Sequence, residues 1–133
     1  MRVARLIGLA AGALLPATAS ATDWTPRAWA SASTLELSTT AAGEQAHWFP
    51  VWLAVVDDQL YVRLGSRAVG RVEASTTRPI VGVRIAGQQF DRVRGEPAPE
   101  MAGRVAEVMA AKYWFDVLVR HVDHPLTLRL VAE

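Results

Sequence analysis

Between Phe49 and Arg67 two apolar stretches flank one short polar break. Val51, Trp52, Leu53, Val55 and Val56, and then Leu60, Tyr61, Val62 and Leu64, are β-branched, aromatic or aliphatic. Such residues suit a pleated, half-buried surface, so the pattern predicts two strands. Asp57, Asp58 and Gln59 stand between them, and aspartate tolerates turn conformations and bonds its own backbone. The stretch therefore reads as a hairpin whose second strand runs into Arg63, Gly65, Ser66 and Arg67.

The remaining pattern supplies the other elements. Residues 22–32 read as a short helix, with Thr22 or Asp23 as its cap and Pro26 in its first turn. Alternation around Leu35 and Leu37 predicts a strand over 33–40. Ser66 to Ala74 fits a short helix in spite of Gly70. Ile80, Val81, Val83 and Ile85 form a strand, Gly87 a turn, and 89–93 the return strand of a second hairpin. Gly95 to Pro99 reads as a loop. Glu100 to Tyr113 carries the clearest helical spacing, through Met101, Val105, Val108, Met109 and Lys112. Residues 114–122 fit helix and strand equally. Leu126, Leu128 and Leu130 then alternate with polar neighbours in a final strand. The expected class is α+β: about six mostly antiparallel strands with two or three short helices.

The first residues follow a different rule. Arg2 and Arg5 precede an apolar run from Leu6 to Leu15, Pro16 breaks it, and Ala19-Ser20-Ala21 has the small-x-small form of a cleavage site. That is the pattern of a secretory signal peptide over 1–21, leaving a domain over 22–133 in the periplasm. The run falls short of the ~20 residues that span a bilayer, so no membrane association is expected after cleavage. Loss of Arg2 and Arg5 also alters the charge: from 14 basic against 13 acidic residues the chain goes to 12 against 13. A basic surface for nucleic acid is not implied. Cysteine is absent, which removes disulfides, thiol nucleophiles and thiolate metal sites.

Candidate chemistry gathers at one strand end. Arg63, Ser66 and Arg67 offer two guanidinium forks, a hydroxyl and a helix start, a combination that suits a phosphate or another anion. Their alternative role is a solvated strand end with surface ion pairs. Lys112 closes the long helix, where a cation suits the helix dipole. His121 and Asp123 would share one face of a strand while His124 would not, and no third ligand stands nearby, so a loop entering the last strand is expected there. His47 could line a pocket, with Trp48 and Trp52 as core aromatics. No Ser-His-Asp spacing, carboxylate pair or glycine-rich nucleotide loop supports hydrolase chemistry.

Order and residues together resemble the split β-barrel superfamily of pyridoxamine-phosphate-oxidase-like, FMN-binding proteins, closest to an uncharacterised bacterial branch classed as a domain of unknown function. Pro50 to Arg63, Ala111-Lys112-Tyr113 and Thr127-Leu128-Arg129-Leu130 carry the likeness, which extends over most of residues 24–131. The resemblance implies a six-stranded split β-barrel, a homodimer with a cofactor between subunits, and FMN or a deazaflavin as cofactor. Tyr61 to Arg67 resembles the segment that holds the cofactor phosphate, with Ser66 and Arg67 at the matching places, and Arg63 and Lys112 join them as cofactor-binding residues. The chain departs from the branch at Arg71-Val72, where the branch carries a Trp, and at Met109, where it carries a Tyr. The implied activity is that of an oxidoreductase. The alternative is a cofactor-free exported domain that binds a small ligand or a partner through the same cleft. Export predicts that mass spectrometry of the mature protein finds a new N-terminus at Thr22; intact Met1 on a cytoplasmic protein would refute it.

Overall fold

The computed structural model describes residues 15–113 and 124–133. A two-residue strand β1 (Ala17–Thr18) leads into two single 3-10 turns, Ala21–Asp23 and Pro26–Trp29. The body follows as β2 (Thr34–Thr39), β3 (His47–Val56), β4 (Gln59–Leu64), α1 (Ser66–Ala74), β5 (Ile80–Ile85), β6 (Gln88–Pro97), a 3-10 turn (Pro99–Met101), α2 (Ala102–Lys112) and β7 (Leu126–Ala132). The sheet order is β1-β6-β5-β2-β3-β4-β7, and β6 also pairs with β7. Six antiparallel strands, β2 to β7, therefore close into a barrel, with β1 outside it and parallel to β6. The α+β split-barrel expectation holds.

Alternation fills the barrel. Leu35 and Leu37 of β2, Val51 and Leu53 of β3, Leu60, Val62 and Leu64 of β4, Val81, Val83 and Ile85 of β5, Phe90 and Val93 of β6, and Leu128 and Leu130 of β7 form one buried cluster. A period of two sends every second side chain inward, which is why these positions were legible in the sequence. The opposite face of β3 and β4 supplies a second, smaller cluster. There Ala54, Val56 and Tyr61 meet Ala98, Val105, Met109 and Tyr113, so α2 covers the barrel from outside through residues four apart.

Several local expectations are corrected. The helix over 22–32 is two 3-10 turns, because Pro26 opens the second and holds Thr25 before it out of helical conformation, and Trp24 packs on Trp29 and Phe90 instead of continuing a helix. The central hairpin turns on Asp57 (φ 51) and Asp58 (φ 63) alone, and Gln59 already belongs to β4. Two left-handed residues make the tight turn whose twist matches paired strands. Arg104 and Arg27 reach Asp57 and Asp58 respectively, each at 2.7 Å. Gly95 to Pro97 is strand rather than loop: β6 runs on to Pro97, pairing with β7 from Val93↔Ala132 to Pro97↔Leu128. A register shift between Val81 and Val83, where β5 faces β6, marks a bulge that bends β6 toward this second partner. Residues 114–122 lie outside the described residues.

One glycine has no room for a side chain. Gly82 donates its N–H to Ser38 Oγ (3.2 Å), and a Cβ there would stand 2.5 Å from that oxygen and 2.9 Å from Trp48 Cη2. Gly82→Ala is expected to lower the unfolding free energy by about 1–3 kcal/mol, the usual cost of overpacking. A urea midpoint equal to that of the wild type would show that Ser38 and Trp48 yield freely.

Candidate functional site

Three elements meet at one end of the barrel: the entrance of β3, the end of β4 and the start of α1. Inward alternation on β4 stops at Leu64, Gly65 is extended (φ −74, ψ 172), and Ser66 opens the helix. Val69 N–H closes the first turn on Gly65 O at 3.0 Å. Gly65 brings no side chain to cap this N-terminus, so among the described residues its first N–H groups have no side-chain acceptor. Arg67 and Arg71 lie four residues apart on exposed α1 and project along one side.

Two cavities adjoin here. The first, about 460 Å³, is lined chiefly by Phe49, Pro50, Val51, Trp52, Leu64 and Ala68, with Arg63 and His124 at its polar edge. The second, about 640 Å³, is lined by His47, Ser66, Arg67 and Arg71. Phe49, Pro50, Gly65 and Ala68 line both, so the two form one groove with an apolar end and a cationic end. Among the described residues, neither lining contains an aspartate or glutamate. The His47 ring stacks on Phe49, with centroids 5.9 Å apart, at the cationic end. Trp52 lies 5.7 Å from the His124 ring at the apolar end.

The structure thus brings Arg63, Ser66 and Arg67 to one groove and adds His47 and Arg71. Arg71 figures in the sequence only as a departure from the branch pattern, although its four-residue spacing from Arg67 on a helix was a usable signal. Trp48 faces outward instead of into the core, with the Arg84 guanidinium 3.8 Å from its ring centroid. Trp52 is half-buried between the groove and α2. His121 and Asp123 lie outside the described residues.

Lys112 lines neither cavity. Pairing of β2 with β3 ends at Thr34↔Trp52, and the next residue, Leu53, has its backbone groups taken up by the end of α2. Leu53 N–H donates to Tyr113 Oη at 3.3 Å, and Leu53 O accepts from Lys112 Nζ at 3.2 Å. The Tyr113 hydroxyl has Ser33 O at 2.7 Å as its nearer acceptor and Leu53 O at 3.1 Å. Backbone groups without a strand partner are costly when buried, and this Lys-Tyr pair satisfies them. Burial lowers the Lys112 pKa to about 8, and it pushes the Tyr113 hydroxyl up against the opposing effect of its Leu53 bond.

No family model and no curated protein matches the chain. Solved structures do. An FMN-binding protein from Syntrophomonas wolfei superposes with a TM-score of 0.53 at 9% identity, covering 81% of either chain. An F420-H2-dependent reductase superposes at 0.53 with 13% identity, over 75% of this chain and 94% of that one. A structure described as a domain-swapped dimer superposes at 0.56 with 11% identity, over 75% and 80%. At these identities the likeness establishes the fold, a split β-barrel shared with flavin- and F420-binding proteins.

The Lys112 shift has a defined sign. The unfolded lysine keeps its proton to about pH 10.4, whereas the folded one releases it near 8, so folding is disfavoured while both are charged. This penalty is full below about pH 8 and is relieved as the pH rises toward the unfolded value. Between pH 8 and 10 the unfolding free energy of the wild type should therefore rise relative to that of Lys112→Met. Parallel pH profiles of the two proteins in urea titrations would show that the ammonium is solvated after all.

Proposed function

We propose that the protein is an exported homodimer that binds a flavin- or deazaflavin-type cofactor in the groove at the start of α1. One observation carries this reading: a continuous groove is apolar at one end and cationic at the other, with no acidic side chain among the described residues that line it. A planar tricyclic ring on an anionic tail has the same two halves. Phe49, Pro50, Val51 and Trp52 would face the ring. Ser66, Arg67, Arg71, His47 and the uncapped helix start would face the phosphate, where backbone donors and guanidinium forks both favour negative charge. Arg63, at the polar edge of the apolar cavity, would lie beside the ring. Lys112 would act from behind, by holding Leu53 and the adjacent Trp52 in place. Cavities of this size fall within the ~300–1,000 Å³ range of small-molecule sites. Bound there, such a cofactor would supply the electron chemistry of an oxidoreductase, and the chain would supply position and charge. The fold shared with FMN-binding and F420-H2-dependent proteins supports the reading, as the domain-swapped structure supports a dimer.

Titration of FMN and of a deazaflavin into the purified protein, followed by fluorescence, tests it. A hydrogen bond to a charged group contributes about 1.5–3 kcal/mol, so Arg67→Ala and Arg71→Ala should each weaken binding roughly ten- to a hundredfold. Melting temperatures should hardly change, because both side chains are exposed on α1. A protein that binds neither compound, or variants with wild-type affinity, would leave the cofactor-free ligand-binding domain as the reading.

A further inference from the structure

The cleavage position expected after Ala21 does not lie in a loose tail. Ala17 and Thr18 pair with Gln88 and Gln89, and Ala17 N–H donates to Gly87 O at 3.0 Å and Ala19 N–H to Gln89 O at 2.8 Å. Immediately downstream, Ser20 N–H and Ser20 Oγ both reach Asp23 Oδ2, at 3.0 and 3.2 Å, and Ala21 to Asp23 form a 3-10 turn. Trp24 then anchors the chain edge-on against Trp29 and Phe90, with ring centroids 5.1 and 4.9 Å away. The Ala21–Thr22 peptide bond is thus held on its upstream side by a strand, within by a turn, and on its downstream side by an aromatic cluster.

We infer that removal of residues 1–21 is gated by folding: the chain is cut before the edge of β6 is occupied, and a chain that folds first loses its leader only slowly. This inference rests on the export reading and is independent of the cofactor. A peptidase grips its substrate as an extended strand, through backbone groups on either side of the bond it cuts. In the folded chain two of those groups, Ala17 N–H and Ala19 N–H, already bond β6, and residues 21–23 are coiled into a turn. Cutting then requires local opening, at a rate set by how seldom the segment lifts off. Nothing in the barrel resists removal once it has happened. β1 stands outside the six-stranded ring, and the anchor Trp24 follows the new terminus after only Thr22 and Asp23. What removal does change is the edge of β6, where Gly87 O and Gln89 O lose their partners.

The test uses the full chain made by cell-free synthesis in detergent micelles, with purified signal peptidase present from the start or added after folding is complete. The product mass reports cleavage at Ala21. Two backbone bonds and the Ser20–Asp23 contacts should slow cutting of the folded chain roughly ten- to a hundredfold. Asp23→Ala removes the acceptor of both Ser20 contacts on an exposed turn. It should speed cutting of the folded chain several-fold while leaving cutting during synthesis unchanged. Equal rates before and after folding, or no effect of Asp23→Ala on the folded chain, overturn the inference. A chain that stays uncut even during synthesis removes the export reading and the inference with it, and leaves the cofactor titration unaffected.

Discussion

Closure of the sheet by β6 against β7 is the constraint on which the rest of the structure depends. β6 pairs with β5 along one side, then bends at the register shift and finishes against the last strand. Without that bend the sheet would be an open one with two free edges, and the apolar rows of β4 and β5 would face water. With it, β2 to β7 form a ring whose interior is filled by aliphatic side chains. The ring in turn fixes where the β3 entrance, the end of β4 and α1 converge. The groove is thus a by-product of closure, placed at the rim where one strand has stopped and a helix begins.

The other end of the β2–β3 pairing presents the opposite problem. β2 stops one residue short of Leu53, and a helix end rather than a strand satisfies the backbone there. The likeness in Ala111-Lys112-Tyr113 to the FMN-binding superfamily therefore has a structural account in this chain. A hydroxyl and an amine stand in for a strand edge. Tyr113 also packs beside Trp52, whose other side lines the groove, so the substitution for β2 and the shape of the apolar end are set by the same contact.

Much of the fold was legible because it is periodic. The central hairpin, α1, β5 and β7 follow from alternation or helical spacing, and the strands among them bury the face that their pattern marks. What was missed is non-local. Gly95 and Pro97 look like loop residues, and they are strand only because β7 comes alongside. The 3-10 turns before β2 take their form from Trp24 packing on Phe90, more than sixty residues away. At the groove, Arg63, Ser66 and Arg67 could be read together because they are near neighbours in sequence. His47 and His124 could not be joined to them, since they arrive from β3 and from the approach to β7. Lys112 was grouped with them through resemblance, whereas its geometry ties it to Leu53.

The two ends of the groove differ in stiffness. Its apolar end is built mainly on β3 and β4, strands tied into the barrel by buried residues such as Val51, Leu53, Val62 and Leu64. Its cationic end rides on α1, which has no buried residue and rests on the core only through partly buried Ala68, Val69 and Val72. Elements with few buried contacts are those that open and shift at least cost. The groove is therefore shaped like a caliper with one fixed jaw. An occupant of the proposed kind would meet a wall exacting about thickness and flatness at one end, and a wall tolerant of the distance to its negative charge at the other.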